Sequence, residues 1–148
     1  MHALKQYALL LFVGSALLVS GCKEDVDPNE DMNNRLEGDW EVRSFVASGN
    51  GSLEFMGNVF QRVDLEFDKT GPTIGDYEFT YVDVNGNTSI DRGDYEIQNS
   101  GEELTLESDG ASEDEEYLIT IDGNDLELDG FFDYDGSSYR VVIEARKD

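Results

Sequence analysis

From Leu36 onward, apolar and polar residues alternate nearly one for one, in short runs broken by glycine, asparagine and aspartate. Such a period of two places successive side chains on opposite faces of a strand, whereas an amphipathic helix needs apolar residues at i, i+3, i+4 and i+7. No window after Leu36 carries the helical spacing, so the domain is expected to be all β. Its 113 residues, 36–148, suffice for one domain.

The first run holds the single tryptophan, with Trp40, Val42 and Val46 on one face against Glu41 and Arg43. Ser48-Gly49-Asn50-Gly51-Ser52 breaks it, and residues 53–58 make a longer connection. Further strands are expected at 59–67, 76–84, 94–97, 104–106, 117–121, 126–128 and 139–145. The turn Asn85-Gly86 is the strongest two-residue hairpin signal in the chain. Eight strands joined by hairpin-length connections imply an up-and-down antiparallel barrel, since closure removes the edges a long open sheet would expose. The inward set then includes Tyr77, Phe79, Tyr81, Tyr95, Tyr117 and Tyr139. Each buried phenol needs a hydrogen-bond partner. Two readings stay open: an apolar pocket with phenols near its mouth, or a filled core whose hydroxyls reach the rim. On the first reading those six residues line the ligand pocket; on the second, Phe45, Phe60, Leu118 and Val142 are outward candidates for protein contacts.

The segment before the barrel differs in character. His2 and Lys5 precede an apolar run over 8–19, too short for a spanning helix but suited to a secretory signal over 1–21. Leu18-Val19-Ser20-Gly21-Cys22 resembles the lipobox of bacterial lipoproteins, which implies cleavage before Cys22 and acylation of that cysteine. Three acyl chains, at about 0.8 kcal/mol per buried methylene, would hold the protein to a membrane. Lys23-Glu24-Asp25-Val26-Asp27 resembles the export signal by which Bacteroidetes-type bacteria send lipoproteins to the outer face of the outer membrane. Residues 22–35 are expected to form a flexible acidic tether.

The chain carries 34 acidic and 10 basic residues, a formal charge of −24. Removing 1–21 takes away Lys5 and no acid, leaving 34 acidic against 9 basic residues, or −25. Nucleic acid is therefore excluded as a partner, because its binding depends on Lys and Arg neutralising phosphate. The same cleavage removes His2, and acylation blocks Cys22, so Ser-His-Asp, Cys-His and the usual His/Cys metal centres are excluded. No enzyme and no cofactor are expected.

Two acidic stretches are candidates for chemistry. Asp83, Asn85, Asn87, Asp91 and Asp94 fall at the oxygen-donor positions of a loop resembling the calcium loops of EF-hands and dockerins. Thr88 stands where such loops need glycine, and a plain hairpin accounts for Asn85-Gly86 equally well. Glu113-Asp114-Glu115-Glu116 is expected to be a solvated turn, since adjacent strand residues face opposite ways and cannot form a hydrolytic pair.

Leu36-x-Gly38-x-Trp40-x-Val42-x-Ser44 resembles the first motif of lipocalin-like domains. Phe67-Asp68-x-Thr70-Gly71, Tyr77-x-Phe79 and Gly93-x-Tyr95-x-Ile97 resemble the compact lipocalin-like lipoproteins of Bacteroidetes. The resemblance spans about 36–146. It implies a barrel closed beneath Trp40 by an arginine from the end of the last strand, Arg146 or else Arg140. It implies a small apolar or amphipathic ligand, with an accessory role in an envelope or nutrient-uptake complex as the alternative.

Overall fold

The computed structural model describes residues 25–49, 51–134 and 136–148. The expected signal over 1–21 and the expected lipidation site Cys22 lie outside these residues. A helix, α1 (Pro28–Leu36), is followed by β1 (Gly38–Gly49), β2 (Gly51–Glu54), β3 (Phe60–Lys69), β4 (Ile74–Asp83), β5 (Thr88–Gln98), β6 (Glu103–Ser108), β7 (Glu115–Asp122), β8 (Asp125–Tyr134) and β9 (Ser137–Lys147). Every strand pairing is antiparallel, and β1 pairs with both β3 and β9, so β1 and β3–β9 close an eight-stranded barrel. The short β2 folds back on the second half of β1. Each of the eight expected strands has its counterpart in the barrel.

The alternation that predicted the strands also fills the interior. Val63, Leu65, Phe67, Phe79, Ile97, Leu104, Leu106, Ile119, Leu126, Leu128, Val141 and Ile143 are buried in one continuous core. Closure at eight strands gives an interior just wide enough for such side chains to meet.

Strict alternation fails at two β-bulges, and both failures correct an expectation. The register between β1 and β9 shifts between Val42 and Ser44, so an extra residue reverses the facing of the rest of the strand. Phe45 and Ala47 therefore turn inward and are buried, while Val46 turns outward. A second shift, between Phe60 and Arg62, turns Phe60 inward as well. Phe45 and Phe60 are thus core residues rather than outward ones; Leu118 is exposed as expected, and Val142 is half-buried in register with Val46. Val59, expected inside a strand, precedes β3 and is half-buried.

The expected tether is in part a helix. Asp27 caps α1 by accepting from the Asn29 amide at 2.9 Å, Pro28 sits at its start, and Glu30 and Asp31 lie in the first turn. A nine-residue helix is marginal alone, so packing must hold it. Met32 and Leu36 pack on the core. Asn33, fully buried, donates to the carbonyls of Gly71, Pro72 and Ile74 at 3.0–3.3 Å and accepts from the Tyr95 hydroxyl at 2.7 Å. Asn29 accepts from the Gly101 amide, and Arg35 donates to the Ile121 carbonyl. The helix thereby plugs one end of the barrel.

Candidate ligand site

At the plugged end, the Trp40 indole donates to the Leu36 carbonyl at 2.8 Å, satisfying a carbonyl that the helix end leaves open. The basic residue at Trp40 is Lys147, its register partner, whose ammonium lies 5.1 Å from the ring centroid and donates to the Arg35 carbonyl at 3.0 Å. Arg146 pairs in register with Glu41, faces solvent and stands 4.0 Å from Asp125; Arg140 binds Asp129 on the outer wall. The expected arginine is thus a lysine one residue on, because Val141, Ile143 and Ala145 set the inward face of β9 and 147 continues it.

The opposite end is built differently. Phe45 from β1, Phe55 from the segment after β2, Phe60 at the start of β3 and Tyr81 near the end of β4 form an aromatic cluster with Tyr139 of β9. Ring centroids are 4.9 Å apart for Phe45 and Phe55, 6.0 Å for Phe55 and Phe60, 5.2 Å for Phe60 and Tyr81, and 6.2 Å for Phe55 and Tyr139. Phe55 is fully buried although it belongs to no strand. Its amide donates to the Phe45 carbonyl, and its own carbonyl accepts from Val59 and Phe60. Glu54 fastens the segment by accepting from the amides of Phe45 and Met56 at 2.9 and 3.0 Å. Residues 54–60 thus fold an aromatic cover over this end. Sequence reasoning places Phe55 only in a connection; an aromatic residue after a Gly-Ser break was the available signal.

The inward phenols divide into three environments. Tyr95 is committed to Asn33 at the plugged end, and Tyr139 joins the aromatic cover. Phe79 packs in the core, 5.5 Å from Phe67 and 4.8 Å from Tyr77. Tyr77, Tyr81 and Tyr117 gather with inward polar residues from three consecutive strands. Tyr77 donates to Asp91 at 3.3 Å, Ser108 donates to the other Asp91 oxygen at 2.5 Å, and Tyr117 donates to Glu115 at 2.9 Å. Burial raises all three phenols, with Asp91 adding to the rise at Tyr77 and Tyr81 and Glu115 at Tyr117, so they remain protonated donors at neutral pH. Glu115 was expected on a solvated turn; β7 begins there, and its alternation with Tyr117 and Ile119 turns the side chain inward.

The five oxygen residues of the expected calcium loop are not brought together. Asp83 closes a hairpin, accepting at 2.8 Å from the amides of Asn85 and Asn87 and from the Asn87 side chain. Those bonds, Asn87's first, hold its carboxyl below the ordinary value. Asp91 and Asp94 continue along β5, opposite Phe79 and Asp76, and Asp94 lies roughly 20 Å along the strand from Asn87. Among the described residues no three His, Cys, Asp or Glu side chains form a metal-binding group.

The outer wall bears a transverse row of carboxylates, Asp68 opposite Asp76, Asp76 opposite Asp94, and Asp94 opposite Glu107. Partial loss of hydration first, then the shared hydrogen bond with Asp94, raises the exposed Asp76. Elsewhere on the wall Leu118 and Phe131 are exposed on neighbouring strands.

Solved structures share this fold at low identity. Lobster apocrustacyanin A1 matches with 16% identity and a TM-score of 0.52, over 82% of this chain and 69% of that one. A lipocalin-like protein from Bacteroides uniformis matches with 15% identity and a TM-score of 0.50, over 76% of this chain and 98% of its own. The siderocalin Ex-FABP, described as having dual ligand specificities, matches with 9% identity and a TM-score of 0.55, over 76% and 74% of the two chains. A search of curated proteins gives no match. The family model for the lipocalin-like domain matches residues 36–128, from the Trp40 strand through most of the barrel, and the chain belongs to that family.

Proposed function

We propose that this protein is a non-enzymatic binding module that captures a small apolar or amphipathic ligand, held by acylated Cys22 to the outer membrane and facing the cell surface. The observation that carries the binding reading is the difference between the two ends of the barrel. One end is sealed by α1 through a buried, fully bonded asparagine. The other is closed by Phe55, an aromatic side chain on a short non-strand segment that lies outside the barrel ladder. Lipocalin-like barrels bind small ligands at such mouths, and here Phe55 fills the volume that a ligand ring would enter.

The packed interior and the exposed Leu118 and Phe131 favour a second reading, a filled barrel serving as an accessory subunit with protein contacts on its outer wall. Native mass spectrometry of the mature chain, purified gently with and without a chelator, separates the two. Added organic mass that survives the chelator and is lost on unfolding is expected for the binding module. A bare protein under both conditions overturns that reading in favour of the accessory subunit. Mass lost only to the chelator would return attention to calcium.

A further inference from the structure

Beside the aromatic mouth, the barrel wall turns carboxylates inward. Asp91 and Glu115 face the interior, whereas Arg92, Asp94 and Glu116 on the same strands face solvent. Turning a carboxylate toward an apolar barrel removes hydration that its neighbours must replace. At Asp91 the replacements are neutral hydroxyls, those of Tyr77 and Ser108, which solvate the charge without cancelling it. Glu115 is bonded to Tyr117, and Asp91, opposite Phe79 in register, sits one diagonal step across the paired strands from the inward Tyr81 ring. That ring, in turn, contacts Phe60 of the mouth at 5.2 Å. The polar group and the aromatic cover are therefore two halves of one lining, continuous through Tyr81.

Carboxylates beside aromatic faces match an organic cation, which donates charge-assisted hydrogen bonds to the first and gains cation–π attraction from the second. The formal charge of −24 adds a field that draws cations toward the protein. We propose that Asp91 and Glu115, with Tyr77, Tyr81 and Tyr117, bind the ammonium group of a small aromatic amine whose ring displaces Phe55 in the mouth. This rests on the binding reading above and narrows its ligand to a class.

The test is calorimetric titration of the mature chain, in detergent at physiological salt, with phenethylamine and with its neutral counterpart 2-phenylethanol. The amine is expected to bind one to one, at least about tenfold more tightly than the alcohol. Asp91→Asn should abolish that preference, and Asp94→Asn, on the outer face of the same strand, should keep it. Equal binding of amine and alcohol would overturn the cation site while leaving the binding reading intact. Failure of both probes to bind overturns the site. So does amine uptake that does not saturate or that Asp94→Asn reduces as much as Asp91→Asn, since either marks general attraction to an acidic surface. Should Asp91→Asn fail to fold, the wild-type comparison of the two probes decides, with Glu115→Gln as the second variant.

Discussion

Lys147 and Trp40 face each other across β9 and β1, with the ammonium 5.1 Å from the indole centroid and bonded to the last turn of α1. One side chain thus joins the last strand, the first strand and the plugging helix. Lys147→Ala should lower stability by about 1 kcal/mol, from a lost cation–π contact and a lost bond at a helix C-terminus. Arg146→Ala, whose partner Asp125 stands 4.0 Å away in solvent, should change it by less than about 0.5 kcal/mol. Urea unfolding followed by Trp40 emission measures both, and equal losses would mean that Lys147 has no special place.

Asn33 is the buried polar residue of the plug, and its side chain meets three carbonyls and one phenol. Asn33→Ala leaves those groups without their partner and should cost about 2 kcal/mol, because unmade buried hydrogen bonds cost more than made ones contribute. Asn34→Ala, at an exposed neighbouring position, should cost little. Denaturation midpoints of the two variants against wild type decide whether α1 is an integral cap.

These two predictions also mark where the sequence could be read. Period-two alternation located all eight barrel strands, because a half-buried strand must alternate whatever its tertiary partners. It missed Phe45 and Phe60, since a bulge adds one residue without any local signature and then reverses every later face of the strand. It missed α1, whose stabilising contacts come mostly from loops and strands 35 to 112 residues away rather than from its own composition. At the site, alternation turned the tyrosines inward correctly but could not tell Tyr95, spent on Asn33, from Tyr77, which meets Asp91 across paired strands.

The row Asp68, Asp76, Asp94 and Glu107 predicts an acid-side gain in stability. Asp76 and Glu66 have folded values raised above ordinary carboxylates, by loss of hydration and then by acidic neighbours. A raised carboxylate binds protons more readily folded than unfolded, so its ionisation destabilises the fold at neutral pH, and stability is recovered as pH falls through the raised value toward the ordinary one. Asp76→Asn should therefore raise the urea midpoint at pH 7 and flatten its rise between neutral pH and the ordinary carboxylate range. High salt should shrink the difference, since these groups are exposed and screened. A midpoint that falls steadily with acidification, unchanged by the substitution, would sink the idea.

The aromatic cover makes the sharpest demand on the proposed mouth. Phe55 is fully buried against Phe45, Phe60 and Tyr139, yet its backbone lies outside the barrel ladder. Phe55→Ala should therefore destabilise the protein by about 3 kcal/mol or more, the usual cost of a large cavity. It should also leave the strand pairing intact, visible as an unchanged far-ultraviolet spectrum. A mouth that Phe55 occupies in place of a ligand becomes vacant in this variant, so added 2-phenylethanol should restore part of the lost stability in proportion to its concentration. Phe67→Ala, at the plugged end beside Phe79 and Tyr95, provides the contrast. If the alcohol rescues Phe67→Ala as well as Phe55→Ala, the effect is ordinary cavity filling and the mouth has no privilege. Rescue confined to Phe55→Ala ties ligand entry to the segment that Glu54 holds in place.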